Sequence, residues 1–154
     1  MKQILVLTIN VLLICSTQKL TAQSSADEAA IIALLQQAVK DRTTLSLAEV
    51  VKKHWILDDK TALSISLRDG AHFQFDAEQL QQQTIQPPPD HADASRDNFV
   101  VKVEGNMAFA TCHGKATLKE NGNTLLFFEI RVLEKINGAW KIHISSIHEY
   151  VKGG

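Results

Sequence analysis

Glu129 and Arg131 stand two residues apart in TLLFFEIRVLEKI, a run that is otherwise largely apolar. If the run is a β-strand, residues two apart point to the same face. Phe127, Glu129, Arg131 and Leu133 then share one face, and Leu126, Phe128, Ile130 and Val132 share the other. An arginine among apolar neighbours has two chemistries open to it. It can clamp a ligand carboxylate through two parallel hydrogen bonds. It can also form an internal ion pair with Glu129 or a helix carboxylate, which neutralises a buried charge.

Other residues offer proton chemistry. His113, within FATCHGKAT, shares strand parity with Met107, Phe109 and Thr111. It is the leading candidate for an internal imidazole that exchanges a proton near neutral pH; the alternative is a core histidine with its hydrogen bonds satisfied. His54 and Trp55 close a predicted helix, where His54 either lines a pocket or complements the helix's negative end. Asp58 and Asp59 follow in a loop, so that either is a candidate general base or only a solvated acid. Tyr150 and His148 lie near the end of the last strand, in position to rim a cavity. Tyr150 or Arg131 can steady a developing oxyanion. Trp140 either packs in the core or stacks on a ligand. His143 has the opposite parity from Trp140 and is expected to be exposed or at a dimer surface, with no assigned role.

Several chemistries find no support. The histidines lack the close paired spacing of a zinc site, and the neighbours Cys112 and His113 point to opposite faces of a strand. No Gly-rich phosphate loop and no nucleophile elbow is present. No metal and no cofactor is therefore expected.

The elements that position these residues follow from the pattern. Residues 24–42, SSADEAAIIALLQQAVKDR, place Ile31, Leu34, Leu35, Ala38 and Val39 at helical spacing behind a serine cap. SLAEVVKKHW follows as a second helix, with Ser46 and Glu49 in capping-box spacing. TALSISL alternates as a half-buried strand, Asp69-Gly70 turns it, and AHFQF returns. Asp76 caps a third helix, AEQLQQQT. Pro87, Pro88 and Pro89 start a loop expected to extend to about Arg96. Four long antiparallel strands close the chain, with turns at Gly105-Asn106, ENGN and Asn137-Gly138. Helices first and a meander last make an α+β domain, in which a sheet bent around a helix forms a cone with a ligand pocket at its open end. A bulge in such a bent sheet would exchange the faces beyond it.

The chain has 154 residues, 45% of them hydrophobic, which suits one packed domain. Lys2, the apolar run from Ile4 to Cys15 and the polar LTAQSS have the form of a cleavable signal peptide over residues 1–22, with residues 23–154 as the domain. The apolar run is shorter than the ~20 residues of a membrane span. Removing residues 1–22 takes away Lys2 and Lys19 and no acid, so 14 basic residues face 17 acidic ones and the net charge falls from −1 to −3. That balance argues against a nucleic-acid partner. The mature chain keeps only Cys112 and forms no intrachain disulfide. A periplasmic or secreted protein without stable membrane insertion is expected.

The order of elements, together with Arg131, Lys135, Gly138, Trp140, Lys141 and Ile142 in RVLEKINGAWKI, resembles the nuclear transport factor 2-like superfamily. That group includes SnoaL-like and ketosteroid isomerase-like families, and the chain is most similar to its small exported Bacteroidetes members. The likeness spans about Asp27 to Tyr150, with KKHWILDD as a weaker second part. It implies the cone-shaped, cystatin-like fold, with Arg131 pointing into the pocket. Relatives often carry histidines at the positions of Ile144 and Ser146, and here those are absent. The fold hosts isomerases, dehydratases, cyclases, binding modules and assembly domains alike. Three functions remain in play: binding of a small apolar or anionic molecule at a site drawn from Arg131, Glu129, His113, Trp55, His54 and Trp140; an isomerase, dehydratase or cyclase using His113, Asp58 or Tyr150; and a protein-interaction module. Apolar residues on both faces of Leu126 to Val132 point to a homodimer.

Overall fold

The structure, a computed structural model, describes residues 25–83, 91–118 and 121–151. The predicted signal segment and the three prolines lie outside the described residues. Helix α1 covers residues 25–42, α2 Leu47–His54 and α3 Ala77–Gln82. The strands are β1 Ala62–Ser66, β2 His72–Asp76, β3 His91–Glu104, β4 Met107–Leu118, β5 Thr124–Ile136 and β6 Ala139–Tyr150.

The caps form where the sequence places them. Ser46 Oγ accepts from the Glu49 N–H while Glu49 returns a hydrogen bond to the Ser46 N–H, which satisfies two free donors of α2. Asp76 and Gln79 do the same for α3. Asn137 and Gly138 both have positive φ, +51° and +83°, the geometry whose twist joins β5 to β6 in a two-residue turn.

The six strands form one curved, unclosed sheet in the order β2-β1-β6-β5-β4-β3. Every pairing is antiparallel except β1 with β6, which is parallel and joins the first hairpin to the meander. The loop expected to run to about Arg96 is shorter than predicted, since β3 already begins at His91. Pairing of that segment with β4 satisfies its backbone groups despite its poor alternation. Register shifts between His91 and Asp93, and between Asp97 and Val100, absorb the residues that do not fit.

A second irregularity decides the faces of β6. Val132 pairs with Ile144 but Leu133 pairs with Ile142, leaving His143 as the extra, bulged residue. Trp140 and Ile142 therefore face the helices before the bulge, and Ser145 and Ile147 face them after it, while Ile144, Ser146 and His148 turn outward. The core lies between this inner face and the helices. Ile31 and Leu35 of α1, Val51 and Trp55 around α2, and Leu80 of α3 meet Leu63, Ala108, Ala110, Leu133, Trp140 and Ile142 of the sheet.

Candidate functional site

The inner face carries charge where a core is normally apolar. Glu129, 2% exposed, sits at its centre. Its Oε2 accepts from Arg131 Nη2 at 2.6 Å and from Arg96 Nε at 2.7 Å, with the Cys112 thiol at 3.9 Å. Burial pushes the Glu129 carboxyl up, but the Arg131 and Arg96 guanidinium groups outweigh it and hold the carboxyl down at about 2. Burial, with the Glu129 charge beside it, pushes the Cys112 thiol up to about 11, so this thiol is not a nucleophile at neutral pH. Two guanidinium groups on one carboxylate leave one positive charge uncompensated within the cluster.

Arg131 is 6% exposed and its Nε has no hydrogen-bond partner. Its cross-strand neighbour Ser145 is 1% exposed, and its Oγ also has none. These are the only two buried side-chain polar atoms left unpartnered among the described residues. On the neighbouring strand, every buried position of β4 holds a small residue: Ala108, Ala110, Cys112, Gly114 and Ala116. Gly114 has a specific task, because a Cβ there would lie 3.0 Å from Glu129 Oε1.

The other sequence-predicted residues lie elsewhere. Trp140 is buried, and its Nε1–H donates to Asp27 Oδ1 at 3.0 Å, beside the Lys135 ammonium at 2.6 Å from the same oxygen. Trp55 is buried in the core. His54 is buried against α1, with Nε2 at 2.5 Å from Asp41 Oδ2. Hydrogen bonds from Lys53, then His54 and Gln37, hold the Asp41 carboxyl well below the usual carboxylate range. This cluster clamps α1 to α2.

Two histidines differ from expectation. His113 is not internal: it is half-buried on the outer sheet face, where Nδ1 lies 2.8 Å from the Tyr150 hydroxyl and the ring meets Phe128 edge-on. Small residues fill the inner positions of β4, which leaves the parity of His113 pointing outward. His143 is not exposed. It is the bulged residue and is only 7% exposed, with Nε2 at 2.8 Å from Asp58 Oδ1 and Nδ1 at 3.7 Å from Glu134 Oε2. The hydrogen bond from His143, followed by one from the Lys60 N–H, lowers the pKa of Asp58.

Sequence reasoning missed Arg96 and Ser145. Arg96 fell in the segment read as a loop, and the bulge alone sets the face of Ser145. The signal that was present is the alternation of small residues at 108, 110, 112, 114 and 116, which marks one face of β4 as roomy.

Two open clefts lie away from this cluster. One of about 740 Å³ is lined by Glu28, Val101, Val103, Met107, Phe109 and Val132, among others. The other, of about 360 Å³, lies between Asp58 and α3 and is edged by Asp59, Asp76 and Glu78. Neither is lined by Arg131 or Glu129. Among the described residues no three His, Cys, Asp or Glu side chains are grouped to hold a metal ion.

No family model and no curated protein matches the sequence. Solved structures do match. A nuclear transport factor 2-like superfamily protein from Salmonella enterica superposes with TM-score 0.56 at 19% identity over 84% of this chain and 95% of that one. A nuclear transport factor 2-like protein of unknown function from Silicibacter pomeroyi gives 0.56 at 15% over 82% and 98%. A protein with a cystatin-like fold from Nostoc punctiforme gives 0.56 at 16% over 82% and 93%. These likenesses establish the α+β, nuclear transport factor 2-like fold.

Proposed function

We propose that this nuclear transport factor 2-like fold serves as a small-molecule-binding domain whose ligand, apolar or anionic, meets the Arg131 cluster on the inner sheet face. The observation that carries the reading is the buried guanidinium with an unpartnered N–H. A charge taken out of water costs several kcal/mol unless it is paired and hydrogen-bonded, so an incompletely paired one is kept for a reason other than stability. The support is the chemistry of these groups and the small inner face of β4, not either surface cleft.

The acid–base enzyme reading is weaker. His113 and Tyr150 form a close pair, but on the sheet face opposite Arg131. Asp58 is engaged by His143, which favours its ionised form and makes it a weaker base.

Export by the N-terminal segment and membership of the exported Bacteroidetes group complete the proposal. So does a homodimer through the outer sheet face, where Val100 is 56% and Phe109 44% exposed. Native mass spectrometry of protein purified from its own host tests the binding reading. A noncovalent mass retained by the native chain and lost from Arg131→Lys supports it. Identical bare masses for both overturn it.

A further inference from the structure

Arg131 and Ser145 come from different strands, yet their two unpartnered polar atoms belong to directly paired residues on one face. The Arg131 guanidinium is already used on one side, since Nη2 donates to Glu129 at 2.6 Å. Its Nε–H is buried and has no partner. The Ser145 hydroxyl, on the directly paired residue, is a second unpartnered donor. Ala110, the β4 partner of Arg131, presents only a methyl group. The cluster of Arg96, Arg131 and Glu129 carries one positive charge in excess.

We infer that Arg131 Nε–H and Ser145 Oγ–H together form a carboxylate-binding floor, one oxygen of the ligand accepting from each, so that the ligand is a carboxylic acid bound as its anion. This inference rests on the interior-binding reading above and narrows its ligand class. In this floor a serine hydroxyl supplies the second hydrogen bond, in place of the second guanidinium nitrogen of the two-nitrogen clamp expected of Arg131. A neutral alcohol or amide of the same shape leaves the positive charge unbalanced and is rejected. The same floor suits a free small carboxylate or the head of a longer apolar acid, and chain length separates the two.

Isothermal titration calorimetry with sodium acetate, sodium octanoate and 1-octanol at pH 7 tests this. Octanoate is expected to bind at least tenfold more tightly than 1-octanol. Ser145→Ala and Arg131→Lys are each expected to weaken octanoate about tenfold and to leave 1-octanol unchanged. Ligand-free Ser145→Ala should melt at the same temperature as the parent or higher, because an unpartnered buried hydroxyl has been removed. That variant therefore keeps the test valid if Arg131→Lys does not fold. Acetate matching octanoate supports the floor and assigns it to a free small carboxylate. Octanoate and 1-octanol binding alike, or octanoate affinity unmoved by Ser145→Ala, overturns the inference while interior binding stands. No heat from any of the three overturns both.

Discussion

Each face of the sheet carries residues that an ordinary globular protein keeps on the other. The inner face, packed under the helices, carries Glu129, Arg131 and Ser145, all nearly inaccessible to water. The outer face carries Val100, Met107, Phe109 and Ile144 in the open, with Leu126, Phe128, Ile130 and Val132 half-buried between them. Hydrophobicity alone would place these groups the other way round. The difference separates what is buried to stabilise the fold from what is buried to meet something else. An internal charge has to be balanced by groups fixed in place, whereas an external apolar face invites a second surface.

The sharpest way to break the contrast is to remove the carboxylate at the centre. Glu129→Ala leaves two guanidinium groups without a partner and should cost about 3–5 kcal/mol in urea unfolding. A cost below about 1 kcal/mol would mean that water already compensates these charges.

Acid should act on the same group nearly as strongly. The Glu129 carboxyl is held at about 2 in the folded chain, below its ordinary 4.5. Because the folded value is the lower one, its contribution is full above about pH 4.5 and is lost as pH falls towards 2. The shift amounts to about 3 kcal/mol. Stability measured across this range in the parent and in Glu129→Gln should show an acid limb in the first that is flattened in the second.

Gly114→Ala is expected to cost about 1–2 kcal/mol by pressing a methyl group on Glu129 Oε1. Thermal unfolding reads that loss. A neutral result would show that the carboxylate has room to move.

The outer face should respond differently. Exposed Phe109→Glu should change monomer stability by no more than about 0.5 kcal/mol. If the face pairs two copies, it should convert a dimer to a monomer in sedimentation velocity. A parent that sediments as a monomer at micromolar concentration would remove the dimer.

How far these faces are legible in the sequence depends on local rules. The caps at Ser46 and Asp76, the turn at Asn137-Gly138 and the alternation of β5 are set by neighbouring residues, and each forms as read. The Arg131–Glu129 proximity follows from the same period of two. The bulge at His143 does not, because it is fixed from outside β6. The Ile56 N–H donates to the Ile142 carbonyl at 2.8 Å and Asp58 takes the imidazole. One extra residue then exchanges Ser145 for Ile144 on the inner face. This is why the serine was invisible, why His143 looked exposed and why Tyr150 meets His113 on the outside. Arg96 was hidden for a related reason, since a strand interrupted by irregular pairing has no alternation to read.

The nitrogen on which most of this turns can be observed by itself. In a ¹⁵N-labelled sample the Arg131 Nε–H resonance, assigned by its loss in Arg131→Lys, can be followed while octanoate is added. A saturable downfield shift of that proton, absent with 1-octanol, is the expected result. A resonance that octanoate leaves unmoved at saturating concentration would show that the inner face holds its charge for the fold alone.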